Sequence, residues 1–176
     1  MIIIGYQGIG KSTLTKNNNG YIDLESGNFW WNGQRPHNWY IYYCQIAEDL
    51  SRQGYIVFVS SHKEVREFLK RSKEKVIVIF PSILMKNEWV KKLKDRYEES
   101  KKEKDFKAWK NAEARYQKNI DELMRSEFYF IEINDLNYDL KEMIKDGVKR
   151  LMEIGYSKKE LHVDQSFDFW TFKKIS

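Results

Sequence analysis

Four residues in this chain announce a chemistry by type and spacing: Gly5, Gly10, Lys11 and Ser12. They satisfy G-x-x-x-x-G-K-[ST] at every fixed position, the pattern of a phosphate-binding loop. The chemistry follows from backbone geometry. Glycines let the chain wrap closely around an anion with no Cβ in the way. The N–H groups of a loop over Gln7, Gly8, Ile9, Gly10, Lys11, Ser12 and Thr13, with the start of the next helix, then point at phosphate oxygens. Lys11 would bridge the β- and γ-phosphates of a nucleoside triphosphate such as ATP, and Ser12 would ligate Mg²⁺. The flanking elements fit this use. Ile2 to Ile4 is an apolar run that predicts a short buried strand, and Ser12 to Lys16 starts a helix. Strand, loop and helix in that order are what the motif requires.

Composition narrows the class. A chain of 176 residues with 41% hydrophobic and 32% charged residues fits one domain with a core and a well-solvated surface. No apolar run reaches the roughly 18 residues that span a bilayer. The N-terminus is occupied by strand and loop, which leaves no room for a signal peptide. One cysteine, Cys44, allows no intramolecular disulfide, so a cytoplasmic location is expected (the host cytoplasm if the protein is viral). Cys44 falls in a predicted helix and reads as a small core residue. The net charge of +5 is compatible with nucleotide or nucleic-acid partners and demonstrates neither.

The elements that must hold the loop can be read in order. Asn17 to Gly20 stops the first helix. Tyr21 to Glu25 is a second strand on which Asp23 and Glu25, two residues apart, share a face. Residues 29–37 read as an aromatic loop. Asn38 can cap a helix from about Trp39 to Gln53, ended by Gly54. Tyr55 to Val59 and Lys75 to Phe80 are buried strands, the second stopped by Pro81. Between them lies a helix, His62 to Lys70. A helix from Ser82 to about Glu99 carries an apolar stripe of Leu84, Trp89, Val90 and Leu93. A charged break over 100–105 leads to a helix from Phe106 to Ser126. A fifth strand, Phe128 to Ile133, and a helix from Leu140 to Ile154 follow. Residues 156–176 hold Phe167, Phe169, Trp170 and Phe172, too apolar for a free tail, and are expected to dock on the body. Short apolar strands alternating with helices predict an α/β protein with a mainly parallel sheet covered on both faces. Its ligands would bind at the carboxyl ends of the strands.

This pattern resembles the P-loop nucleotide and small-molecule kinases, the superfamily of adenylate, thymidylate, shikimate and gluconate kinases. It is most similar to small deoxynucleoside monophosphate kinase-like proteins of bacteriophages of Gram-positive hosts. The resemblance covers about residues 1–155. It implies a three-layer P-loop fold with a five-stranded parallel sheet in the order 2-3-1-4-5, a helical lid over about 91–110 and an acceptor-binding region over about 26–54. Two departures stand out. The Asp-Gly-x-Pro-Arg motif that adenylate kinases carry after the third strand is replaced by Val59-Ser60-Ser61-His62-Lys63, nearer to the serine-containing turn of gluconate-kinase-like members. The lid segment matches neither a zinc lid nor a long arginine-rich one.

With the resemblance in place, further residues acquire expected roles. Lys11, Asp23 and Arg96 are the candidate catalytic residues. Asp23 sits where family members keep an acid that orients the acceptor and holds Mg²⁺ waters, so Ser12 and Asp23 form the expected metal site. Arg96 falls where the lid begins, and its planar fork suits a transferring phosphoryl group. Lys91, Lys92 and Lys94 read as a solvated basic face. In the acceptor region Arg35 would bind a phosphate, and a ring among Trp30, Trp31, Trp39 and Tyr40 would stack on a base. Glu25, Arg35, Trp39 and Ser61 are the substrate-binding candidates. Of Ser60 and Ser61, one is expected to cap the helix that follows. His62 reads as first-turn surface, and His37 and His162 have no partners at metal-ligand spacing.

The expected activity is ATP- and Mg²⁺-dependent phosphoryl transfer to a small acceptor, best a deoxynucleoside monophosphate. Alternatives are a modified base in DNA, a hydroxylated metabolite, an ATPase or switch without an acceptor, and a binding protein that keeps the loop without turnover. A monomer and a homodimer are both open. No Asn-Lys-x-Asp for guanine occurs, and neither Val59-Ser60-Ser61 nor Phe80-Pro81-Ser82 ends in the acidic pair of a motor.

Overall fold

A computed structural model describes residues 1–16, 18–30 and 34–153. Trp31 and the predicted docking of 156–176 lie outside them. Five strands, β1 (Ile2–Gly5), β2 (Tyr21–Asp23), β3 (Ile56–Ser60), β4 (Val76–Pro81) and β5 (Tyr129–Ile133), form one sheet in the order β2-β3-β1-β4-β5. Every neighbouring pair is parallel. Ile2, Ile3 and Ile4 are fully buried between β3 and β4, as are Ile56 to Val59 and Ile77 to Phe80. These strands read as continuous apolar runs because helices cover both of their faces. Parallel pairing also brings all five carboxyl ends to one edge, at Gly5, Asp23, Ser60, Pro81 and Ile133.

The helices are α1 (Lys11–Lys16), α2 (Trp39–Arg52), α3 (Lys63–Leu69), α4 (Lys86–Ser100), α5 (Glu103–Met124) and α6 (Leu140–Glu153). Their buried stripes recur at helical spacing: Tyr43 and Ala47 on α2, Ala112, Tyr116, Ile120 and Leu123 on α5, Leu140, Ile144, Val148 and Leu151 on α6. Gly54 closes α2 in the left-handed region, with φ 92°. Tyr43 joins the layers beneath the site: its hydroxyl donates to Leu24 O (2.7 Å) and accepts from Ser60 N–H (2.8 Å), tying the end of β2 to the end of β3.

Four local expectations are corrected. No side chain caps α2 at Asn38. Neither Ser60 nor Ser61 caps α3, whose N-cap position is His62 in extended backbone without a capping side chain. Pro81 does not stop β4 but is its last residue, opposite Ile133. The chain leaving it is still held to β5, because Ser82 N–H donates to Ile133 O (2.8 Å). A 3-10 turn over Ile83–Met85 therefore precedes α4, and Leu84 lies on its outer side, 87% exposed rather than in the apolar stripe.

α4 and α5 form an antiparallel hairpin. The chain reverses at Lys101 in the left-handed conformation, φ 52°, and α5 begins at Glu103, inside the predicted break. Buried Asp105 clips the turn by accepting from Ser100 Oγ (2.6 Å) and pairing with Arg96 (2.9 Å). Tyr97, Phe106 and Trp109 pack together between the two helices.

Candidate functional site

The loop between β1 and α1 is set by close approaches. A Cβ on Gly5 would lie 2.7 Å from Ile9 Cδ1 and 2.8 Å from Lys11 Cδ, so only glycine lets the Lys11 stem fold back over β1. The Lys11 ammonium then donates to Gly5 O (3.3 Å) and Tyr6 O (3.4 Å) inside its own loop. Gly8, at φ 86°, also faces the hairpin: a Cβ there would lie 2.8 Å from Leu93 Cδ2. Trp89, fully buried on α4, donates its Nε1–H to Gln7 O (3.0 Å). Gln7 Nε2 donates to Ala108 O (2.9 Å) on α5. The Gln7 side chain thus points at the hairpin rather than into the loop, and both helices of the hairpin are fastened to the loop.

The second strand delivers the acids. Ser12 Oγ donates to Asp23 Oδ2 at 2.6 Å, across β2 and the start of α1. Glu25, just beyond β2, pairs with Lys104 of α5 at 3.0 Å. Burial lowers the pKa of the Lys11 ammonium. Asp23 and Glu25 oppose that shift, while Arg96 and Lys104 reinforce it. The structure brings Lys11, Ser12, Asp23 and Glu25 to the carboxyl edge of the sheet, with Arg96 and Lys104 near enough to act on Lys11. Sequence reasoning missed Lys104 because it sits in a stretch where lysine and glutamate alternate. Only the hairpin geometry separates the lysine that faces β2 from those that face water. Lys91 and Lys94 do face water, in surface pairs with Asp95 (2.6 Å) and Glu98 (3.7 Å). Lys92 does not. It lies 4.3 Å from the Trp89 ring centroid and 4.8 Å from that of Tyr138, and burial lowers its pKa.

Ser12 and Asp23 suit Mg²⁺. They offer two adjacent hard oxygens, and Mg²⁺ takes one or two such ligands while keeping several waters and substrate phosphate oxygens. Among the described residues no three His, Cys, Asp or Glu converge on a metal cage.

A second cation centre lies beside the first. Arg35 precedes α2 and its Nη2 donates to Ser26 O (2.9 Å) in the 3-10 turn after β2. Its guanidinium sits 4.0 Å from the Trp39 ring centroid and 5.3 Å from that of Trp30. Arg35 Nε is buried without a partner. Trp39 is only 6% exposed, packed by Phe29, Tyr43 and His62 as well. The face it offers is taken by Arg35, whereas Trp30 stays half exposed. Ser61 gives its carbonyl to Arg66 Nη1 (2.6 Å). Cys44 is buried, and burial pushes its thiol up to about 12, as suits a core residue.

No family model matches the chain, and no curated protein does. Among solved structures, the 1.7 Å crystal structure of shikimate kinase from Bacteroides thetaiotaomicron is similar with a TM-score of 0.52 at 17% identity, covering 87% of this chain and 96% of that chain. The sheet order and the covering helices are those of the P-loop kinase α/β fold. At this identity the likeness is one of fold.

Proposed function

We propose that the protein is a kinase that transfers the γ-phosphoryl group of ATP, with Mg²⁺, to a small anionic acceptor, best a deoxynucleoside monophosphate. The observation that carries this reading is the pairing of two cation centres across the end of β2. Lys11, Arg96 and Lys104 gather with the Ser12–Asp23 oxygens (2.6 Å), and Arg35 is held on the carbonyl of Ser26, the residue after Glu25. A nucleotide switch needs only the first centre. A two-substrate phosphoryl transfer needs both.

In this reading the loop and Lys11 hold the β- and γ-phosphates, and Ser12 and Asp23 hold the metal, which would neutralise phosphate charge. Asp23 and Glu25 also orient the acceptor's nucleophilic oxygen. Arg96 and Lys104 reach the charge that develops on the transferring group, and Arg35 fixes an anion on the acceptor. The residues over about 26–54 form the acceptor region and the α4–α5 hairpin the lid of a single kinase domain.

The test is ADP release with ATP and Mg²⁺ across deoxynucleoside monophosphates, shikimate (the substrate named for the structural neighbour) and an oligonucleotide with hydroxymethylated bases. ADP formed with one deoxynucleotide is expected. Acceptor-independent ADP supports an ATPase instead, and nucleotide binding with no ADP in any arm supports a binding protein. Lys11→Ala should abolish turnover with an unchanged circular dichroism spectrum; full activity in that variant sinks the site.

A further inference from the structure

His62 is exposed at the start of α3, as its place in the sequence suggests, and from there it also closes a ring of contacts around Arg35. Its Nε2 lies 3.4 Å from Arg35 Nη1, and its Nδ1 lies 2.8 Å from Ser60 Oγ at the end of β3. The imidazole stands edge-on to Trp39, with ring centroids 5.3 Å apart. One guanidinium is thus held from three directions: the Ser26 carbonyl, the Trp39 face and the His62 ring.

The tautomer follows from these partners. Arg35 can only donate, so His62 Nε2 must accept, and the ring proton then resides on Nδ1 and is given to Ser60 Oγ. Protonation at Nε2 removes the acceptor and sets a second cation against Arg35. We propose that His62 is the positioning residue of the acceptor site: in its neutral form it aims the Arg35 guanidinium at the acceptor's anionic group. This rests on the reading of Arg35 as the acceptor's anion-binding residue.

The surroundings favour the neutral form. His62 keeps an exposed side, but the part of the ring covered by Trp39 loses water, and the Arg35 and Arg66 charges act in the same direction. Glu64 alone opposes them. These groups come from the segment before α2 (Arg35), from α2 (Trp39) and from α3 (Glu64 and Arg66), while β3 contributes the Ser60 hydroxyl. The net effect holds the His62 pKa below its ordinary value. The acceptor site is therefore assembled at neutral pH. It loosens only as the pH falls through that lowered pKa.

The first test needs no substrate. Ring ¹⁵N shifts of the full-length protein, assigned by substituting each of the three histidines, should show His62 as the Nδ1–H tautomer with a titration midpoint below the ordinary imidazole value. Arg35→Gln should raise the His62 midpoint. A midpoint unmoved by Arg35→Gln, or the Nε2–H tautomer, overturns the proposal. The second test uses the acceptor that releases ADP. His62→Ala should raise its KM about tenfold, the scale of one hydrogen bond to a charged group, with the KM for ATP unchanged. His62→Gln, which keeps an acceptor oxygen but does not titrate, should restore the KM and abolish its rise at acid pH. An unaltered acceptor KM in His62→Ala overturns the proposal. If Arg35→Gln itself leaves the acceptor KM unchanged while the ¹⁵N coupling holds, the acceptor role of Arg35 fails, and the positioning role with it; the kinase assignment, which rests on Lys11, stands.

Discussion

At the scale of single residues, the site is a set of hydrogen bonds and ion pairs already made within the protein. Ser12 rests on Asp23, Lys104 on Glu25, Arg96 on Asp105, and Lys11 on its own loop carbonyls. The exposed Lys104–Glu25 pair holds by little, about 0–1 kcal/mol, so a phosphate oxygen can replace that carboxylate without a large cost. Asp23 is the acid whose loss should show this most clearly. Asp23→Asn preserves an oxygen for the Ser12 hydroxyl but removes the charge that would face Mg²⁺. Turnover should fall about 10²–10³-fold, the scale of deleting one group that stabilises transition-state charge, and the Mg²⁺ concentration for half-maximal rate should rise. Steady-state kinetics across a Mg²⁺ titration measures both. Wild-type rates in Asp23→Asn would show that the acid is only a solvated strand end.

At the scale of elements, the hairpin is fastened to the phosphate loop by buried apolar contact, and the sequence locates that contact only in part. Leu84 and Leu93 look equivalent as members of one helical stripe. The structure separates them: Leu93 is fully buried beside Gly8, and Leu84 is exposed on a 3-10 turn. Leu93→Ala should cost about 2–5 kcal/mol, and Leu84→Ala should stay within about 0.5 kcal/mol of wild type. Urea unfolding of both variants decides this, and equal losses would restore the longer helix. The three central strands, β1, β3 and β4, were legible because each is a nearly continuous apolar run, and a parallel sheet forces such runs. Gly5, Lys11 and Ser12 were legible because their spacing is local. Lys104 and His62 were not, because what matters about them is which distant residue they meet. Lys104 finds Glu25 across 79 positions, and His62 finds Arg35 across 27. No periodicity encodes a contact of that range; it follows from the sheet order and the angle of the hairpin.

At the scale of the whole molecule, the candidate donor site is where separate layers meet. β1 supplies the loop, β2 the acids, and the hairpin the outer cations. The residues from 91 to 110 include nine lysines and arginines against five acids, so the hairpin supplies much of the +5 net charge and brings it toward the loop. A triphosphate bound there would join these layers, which the free protein connects chiefly through Trp89, Gln7 and the Lys104–Glu25 pair. Binding to the folded state alone stabilises it by mass action, about 2.7 kcal/mol at a hundredfold excess over Kd. For a chain of this length that corresponds to a rise in Tm of about 5–11 °C. Thermal unfolding should show this rise with ATP and Mg²⁺. The rise should shrink in Lys11→Ala and in Lys104→Ala, and it should weaken as salt screens the exposed Lys104 more than the half-buried Lys11. Loss of the shift in Lys11→Ala but not in Lys104→Ala would place Lys104 outside the donor site and leave it a strut between α5 and β2. A wild-type Tm unmoved by saturating nucleotide would remove the donor site altogether.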